Sequence, residues 1–390
     1  MGNIFHRVIS ASLSPNTERD DVWKALVMLF SPWKWQYGND VSTVERWLEK
    51  RFTLRPVTFN SGRSALLALL RAFEIGRGDE VIIQAFTCVA VPNSILWAGA
   101  IPVYADIDDS YNIDPTQLER KITKRTKAII VQHTFGMPAK RDEITSVAKR
   151  HNLLIIEDFA HTMNLPLHGD AAFFSFGRDK VISSVWGGAA IISQKHHVPS
   201  EKLKKYHKTL PMPGMFWIVQ QLLHPIAFSI ILPLYNLGVG KLILVILQTL
   251  KLLSFPVYAE EKQGKRPADF PAKYPNALAS LLVSQLKKLE RFTKTRRDIA
   301  TLYGRQGSYV RFPMLVGDPE RVRKMAKRRG ILLGNWYHNV IDPVGVNWEA
   351  VKYEQGSCPK AEEAARHMIN LPTRVTEAEA KQIRLLFHTP

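Results

Sequence analysis

Cysteine is almost missing from this sequence. Cys88 and Cys358 are the two present, far apart and without a Cys-x-x-Cys pair, which excludes a disulfide framework and a structural zinc site and points to a reducing cytoplasm. No metal ligand set is expected. Acidic residues are also short, 35 Asp and Glu against 53 Lys and Arg, so the formal charge of +18 calls for an anionic partner: phosphate esters, an acidic membrane surface or nucleic acid. Nucleic acid drops out, because no zinc-finger spacing, RNP-like aromatic motif or basic-region heptad array accompanies the charge. Internal repeats and low-complexity tracts are absent, and whole-chain disorder is excluded. The N-terminal MGNIFHRVISASLSP lacks a secretory apolar run, and His6 stands where an N-myristoylation pattern wants Ser or Thr. No cleaved targeting signal is expected.

What is present describes a globular α/β chain. Its 390 residues, 46% apolar and 23% charged, suffice for one large domain and a smaller one. Residues 1–52 read as an N-terminal arm, with Val22, Leu26 and Leu29 on one helical face and Val44, Trp47 and Leu48 on another. Residues 53–210 then alternate apolar strands (VIIQAF, IPVYADI, KAIIVQH, LLIIEDF, AAFFSFG, GAAIIS) with helical crossovers. That alternation predicts a mainly parallel sheet buried on both faces, with ligands at the carboxyl ends of its strands. Residues 211–257 break the pattern, since Pro211 to Gly240 contains no charged residue and LILVILQTL follows. From Asn276 one long amphipathic helix is expected, then strand YVRFPMLV, a helix from Pro319, strand ILLGNWYH and two closing helices, a smaller C-terminal α/β domain within 258–390.

The stretch DAAFFSFGRDKVISSVWGG, Asp170 to Gly188, places Lys180 just after an apolar strand and shortly before a Gly-Gly turn. Most lysines are solvated surface charges. Here Phe173, Phe174 and Phe176 could desolvate the ammonium and lower its pKa, as a lysine needs before its amine can form a Schiff base with an aldehyde. Upstream, LLIIEDFAH ends an apolar strand on Asp158, a carboxylate that is costly there unless something positive meets it; an ion pair or a helix cap would serve equally. Further upstream, Ser61-Gly62 opens a helix whose free amides and positive dipole end offer a seat for phosphate, or form an ordinary N-cap.

Together, NSGRSALLALL, LLIIEDFAH and the Lys180 stretch resemble the pyridoxal-phosphate (PLP) sugar aminotransferases of the DegT/StrS type, in the aspartate-aminotransferase superfamily. The likeness runs from about residue 12 to the end, including CPKAEEAARHMINLPTRVTEAEAKQI, apart from the apolar segment. The resemblance implies PLP-dependent transferase fold type I: a large mainly parallel α/β/α domain and a smaller C-terminal α/β domain, here with an inserted apolar hairpin. It implies that Lys180 binds the cofactor aldehyde, Asp158 pairs with the pyridine nitrogen, His161 contacts the ring hydroxyl and Ala160 packs on one ring face. Ser175 with the amides of Gly62 and Arg63 would hold the phosphate.

Three positions depart from the family. Cys88 stands where an aromatic residue usually stacks on the cofactor, so stacking is weakened or supplied elsewhere. Arg63 replaces a threonine and brings a guanidinium that could still bind phosphate. Pro271, in DFPAKYPN, stands where the family sends an asparagine to the partner subunit's cofactor phosphate, so no cross-subunit ligand is carried over. The activity implied is amino transfer from an amino acid, glutamate, to a nucleotide-linked keto-sugar in cell-surface polysaccharide synthesis. A PLP-dependent dehydratase and an inert membrane-bound scaffold are the other readings; a lysine at 180 favours transamination.

A homodimer is expected, because the family builds its sites between subunits and the apolar face after Asn276 needs covering. The segment Gly214 to Val257 is expected to be a monotopic anchor on the cytoplasmic side of the plasma membrane, or else a buried hairpin. Its 21 residues from Met215 to Tyr235 would span a bilayer, but Pro225 and Pro233 should break such a helix, and Lys202 to Lys208 and Lys262 to Arg266 flank it with charge. An in-plane hairpin fits these features better than a clean span.

Overall fold

The computed structural model describes residues 8–387; the N-terminal targeting and myristoylation pattern around His6 lies outside the described residues. The chain begins with β1 (Ile9–Ser10), α1 (Arg19–Leu29) and α2 (Asp40–Phe52). The alternating region follows as β2 (Val57–Phe59), α3 (Gly62–Ala72), β3 (Glu80–Gln84), β4 (Thr87–Cys88), α4 (Ala90–Ala98), β5 (Ile101–Ala105), α5 (Pro115–Lys121) and β6 (Thr126–Gln132). It continues with α6 (Arg141–Arg150), β7 (Leu154–Asp158), β8 (Ala171–Ser175), β9 (Gly188–Ile192) and α7 (His197–Thr209).

Seven of these strands form one sheet in the order β2-β9-β8-β7-β6-β3-β5. The pairs β2–β9 and β8–β9 are antiparallel and the rest parallel, so β9 alone runs against the others. The mainly parallel sheet read from the apolar runs is thus present. Strands such as β3 are buried along their whole length, and α3 is buried at every position except Arg71, because helices cover both sheet faces. The carboxyl ends of β2, β3, β7 and β8 come out on one edge, and the candidate site lies there.

The apolar segment forms α8 (Met215–Ile231) and α9 (Val239–Thr249). Pro225 does not break α8 as expected; the helix runs through it and stops before Pro233. A proline inside a helix forfeits one backbone bond, and here burial of Pro225, Ala227 and Phe228 holds the helix together. No helix among the described residues is long and apolar enough to cross a membrane.

The rest of the chain is α10 (Asn276–Leu286), α11 (Leu289–Leu302), β10 (Phe312–Leu315), α12 (Pro319–Arg328), β11 (Ile331–Leu332), β12 (Ile341–Asp342), α13 (Pro359–His367), β13 (Met368–Leu371) and α14 (Glu377–Arg384). The single long helix expected from Asn276 is two. At the break, the Lys288 ammonium reaches Asp20 and Asp21 at 2.6 and 2.9 Å, and Gln285 donates to Asp21 at 2.7 Å, so the polar corner is buried against the N-terminal arm. The apolar face of α10 is covered within the chain by α1, α2 and α8, which removes that reason for a dimer. ILLGNWYH is a strand only at Ile331–Leu332, which pairs with β1; the remainder turns inward to the site. Instead of one C-terminal sheet there are short ladders, β10 with β13 and β12 with β4, the latter tying the C-terminal part to the large sheet.

Candidate active site

Strand alternation decides which side chains meet at the sheet edge. Phe174 and Phe176 point to the same side and are fully buried, Phe174 packing on Phe52 and Phe159 at 4.9 and 5.4 Å, while Ser175 points the other way and is half-buried. Phe174 and Phe176 therefore do not form the wall at Lys180; Phe173, on the Ser175 side of the strand, is buried in the core. Ser175 meets the turn that opens α3. A Cβ on Gly62 would lie 2.9 Å from the Ser175 Cβ, and one on Gly188 would lie 2.5 Å from the Ser61 carbonyl carbon, so the two glycines let the turn seat directly on β8 and β9. Ser61 caps the helix by accepting from the Ser64 amide at 3.1 Å. The amides of Gly62 and Arg63 are left at the positive end of an 11-residue helix, beside the Ser175 hydroxyl.

Arg63 departs from the reading of its side chain. Its guanidinium is ion-paired with Glu261, donates to the Pro256 carbonyl at 2.9 Å and lies over the rings of Trp186 and Phe270 at 4.8 and 5.0 Å. It is thus engaged away from the helix end, and only its amide remains for an anion. The Pro271 segment packs within its own chain: Asn60 donates to the Ala272 carbonyl at 3.0 Å beside the same turn.

Lys180 comes from the loop after β8, which closes through its amide to Gly177 at 3.1 Å. Its amine lies 3.1 Å from His161 Nε2 and 4.5 Å above the Trp336 ring. Burial pulls the ammonium below its ordinary value, and Arg311 acts the same way against Cys88, Asp158 and Asp179. His161 fixes the direction of the hydrogen bond. Its Nδ1 accepts the Phe135 amide at 3.2 Å, so in the neutral ring Nε2 carries the proton and presents it to Lys180 Nζ at 3.1 Å and the Tyr337 hydroxyl at 3.4 Å. Burial, with Lys180 and Arg311 nearby, keeps that imidazole well below its usual pKa and hence neutral. Lys180, whose pKa burial lowers, can accept that bond once it has lost its proton.

Asp158, buried at the end of β7, accepts the Ala160 amide at 2.8 Å. Burial raises its pKa, against the opposing effects of that amide and of Lys180. Its neighbour Glu157 faces the other side, held by His133 at 3.1 Å and by the amides of His168 and Gly169 at 2.7 and 3.0 Å, and is structural. Cys88, half-exposed at the same edge, has its thiol pushed up by burial.

Sequence reasoning missed the groups that frame this cluster. Trp336 stacks on His161 at 4.9 Å and 13°, with the Arg311 guanidinium 3.6 Å from its ring and its backbone clamped by Asn370 at 2.7 and 2.6 Å. Asp179 binds Arg311 at 2.8 Å and the Ser14 amide at 3.1 Å, and Asn16 donates to the Lys180 carbonyl at 2.6 Å. The arm and the C-terminal part thus hold the lysine loop from both sides. The available signal was the vacancy at Cys88, which called for an aromatic residue from elsewhere.

The sequence model of the DegT/DnrJ/EryC1/StrS aminotransferase family matches residues 17–216. The chain belongs to that family. Membership makes pyridoxal phosphate the cofactor of this aminotransferase. Among curated relatives, a Geobacillus stearothermophilus protein named pleiotropic regulatory protein is 28% identical over 329 residues, 80% of this chain and 78% of the relative. GDP-perosamine synthase of Caulobacter vibrioides is 42% identical over 140 residues, which are 34% of this chain and 38% of that enzyme. Among solved structures, Helicobacter pylori PseC, an aminotransferase of pseudoaminic acid biosynthesis, superposes with a TM-score of 0.71 at 20% identity over 98% of both chains and shows the same fold.

The residues present fit the cofactor. An anion seat, a buried carboxylate able to face a ring nitrogen and a lysine amine of lowered pKa lie on one edge of the sheet, and the tight Gly62–Ser175 contact builds the first of these.

Proposed function

We propose that this family member moves an amino group from glutamate to a nucleotide-linked keto-sugar for cell-surface polysaccharide synthesis. The observation that carries the reading is the Lys180 amine, its pKa lowered by burial, 3.1 Å from His161 Nε2 on the edge that also bears Asp158 and Ser175. Relatives named for sugar amination, including GDP-perosamine synthase, support the sugar acceptor, and the charge of +18 suits a diphosphate. An inert scaffold would have no use for a lysine desolvated and aimed in this way.

Ser175 and the amides of Gly62 and Arg63 would hold the cofactor phosphate, Asp158 the ring nitrogen, Ala160 a ring face and His161 the ring hydroxyl, with Cys88 at the opposite face. When bound, pyridoxal phosphate supplies an electron sink for the pair left behind when the donor loses its Cα proton. Lys180 Nζ takes that proton as a general base, and in the second half-reaction delivers one to the sugar carbon that carried the carbonyl. Asp158, kept ionised by a cationic ring nitrogen, stabilises the charge that makes the proton acidic. Trp336, its ring 4.5 Å from the amine, flanks the half-buried Lys180, and the Tyr337 hydroxyl lies 3.4 Å from His161 Nε2.

The active form is a homodimer, a reading supported by the exposed Trp23, Phe30 and Trp33 around α1. Its place is the cytoplasmic face of the plasma membrane, supported by the apolar residues that α9 leaves in solvent. The test of the activity is optical. Reconstituted protein should absorb in the visible, bleach on addition of glutamate and recover on addition of a nucleotide-linked keto-sugar. Protein that stays coloured with every amino acid donor would overturn it.

A further inference from the structure

α9 is apolar on two faces. Ile243 and Leu247 pack inward on Phe228, Ile231 and Leu253, as a surface helix should. Leu242, Val245, Ile246 and Leu250, at helical spacing on the opposite side, are 61, 57, 46 and 60% exposed. A stripe of this kind marks an interaction surface, and its bounding charges indicate the partner. Lys241 and Lys251 sit at the two ends of the helix, and no acidic residue occurs between Glu201 and Glu260.

A second observation comes from α12, some eighty residues later in the chain. It carries Arg321, Arg323, Lys324, Lys327 and Arg328 against the single acid Glu320, which pairs with Arg323 at 3.0 Å. The turn between α8 and α9 abuts the end of α12, where a Cβ on Gly330 would lie 3.4 Å from the Asn236 side-chain nitrogen. Between them is a cavity of about 370 Å³ lined by Lys241, Lys324, Lys327, Arg328 and Tyr235. Lys241 lies 5.1 Å over the Tyr235 ring, and none of the four cations forms an ion pair among the described residues. By contrast, the basic flanks adjacent in sequence are partly engaged: Lys202 pairs with Glu74, Lys204 with Glu201, and Lys262 donates to the Val344 carbonyl.

We propose that the α9 stripe and this basic cavity form one docking face for an anionic lipid surface, the cavity receiving a lipid headgroup phosphate. This rests on the membrane-side placement above and specifies it. α9 lies in the plane of the interface, because its 11 residues make a rod of about 16 Å, roughly half the hydrocarbon thickness. Its outer side chains enter the headgroup and acyl boundary, while the cations of α12 neutralise headgroups at the rim.

The test is sedimentation of full-length holoenzyme with vesicles of phosphatidylcholine alone and of phosphatidylcholine with phosphatidylglycerol. The wild type should favour the anionic vesicles, with an advantage that shrinks in salt. Combined Lys324→Glu, Lys327→Glu and Arg328→Glu should lower partitioning by about a hundredfold, roughly fivefold per cation, with transaminase activity unchanged. Leu242→Asp with Leu250→Asp, both at exposed positions, should lower binding to either vesicle without loss of fold. Equal wild-type binding to the two vesicles, or a triple variant that partitions normally, overturns the cavity assignment and leaves the membrane-side placement standing. No binding to any vesicle overturns both. A Leu242→Asp/Leu250→Asp protein that turns from dimer to monomer while vesicle binding persists assigns the stripe to a second copy of the chain and overturns the docking face.

Discussion

Replacing Glu261 by alanine removes the carboxylate that neutralises the Arg63 guanidinium, in a site where the arginine side chain is 8% exposed and the glutamate 0%. Breaking a buried pair by removing one partner costs about 3–5 kcal/mol, because a charge is left in low dielectric. Arg63 keeps part of its environment: the Pro256 carbonyl at 2.9 Å and the faces of Trp186 and Phe270, the rings contributing about 0.5–2 kcal/mol. The Tyr258 amide, bonded to Glu261 at 2.9 Å, loses its acceptor as well. A net loss of about 2–4 kcal/mol is expected, read as a lower midpoint in equilibrium urea unfolding of the cofactor-free protein at unchanged slope. Arg63 is the second residue of α3, so the phosphate seat should loosen with it, and the cofactor dissociation constant should rise about tenfold or more. Arg63→Met with Glu261→Leu deletes both charges and should recover stability to within about 1 kcal/mol of wild type. A Glu261→Ala loss below about 1 kcal/mol, or a double variant less stable than the single, would refute this account.

Lys180→Ala should abolish turnover and the visible cofactor band with an unchanged far-ultraviolet circular dichroism spectrum; residual colour reducible by borohydride would contradict the assignment. Asp158→Asn should reduce turnover at least about a hundredfold and cofactor affinity far less, since Gly62 and Ser175 still hold the phosphate, and equal turnover would make the carboxylate merely structural. His161→Phe removes the Nε2–H that stabilises neutral Lys180, so the pH at which the visible band develops in a titration should move upward; an unmoved midpoint refutes the hydrogen-bond direction. Burial pulls the His207 pKa from 6.5 to about 4, so the unfolded chain binds that proton more tightly than the fold does. Stability is therefore full above pH 6.5 and declines as the pH falls towards 4, by at most roughly 3 kcal/mol from this residue; His207→Gln should flatten that acid limb in urea unfolding, and an unchanged limb would place the titration elsewhere.

The sequence by itself determined the sheet and its chemistry-bearing edge. Apolar runs of β-branched residues separated by helical crossovers can bury both faces only in a parallel sheet, and Asp158, Ser175 and the Ser61-Gly62 turn fall at strand ends, where local pattern fixes position. Lys180 was legible for the same reason, standing a fixed distance beyond a buried strand. Only the tertiary structure decided what surrounds it. The Phe-rich strand was read as the desolvating wall, yet alternation turns Phe174 and Phe176 into the core, and Trp336, more than 150 positions away, supplies the ring. Arg63 was read as a phosphate ligand until Glu261, nearly two hundred residues on, came within ion-pair reach. Pro225 looked like a helix breaker because propensity is local, whereas the packing that carries α8 through it is not. The same holds for the basic rim of the apolar segment. Several charges adjacent in sequence are engaged by nearby carboxylates and a carbonyl, and Lys241 is joined at the cavity by cations of α12, because which cations share a surface is set by how helices pack and not by their order along the chain.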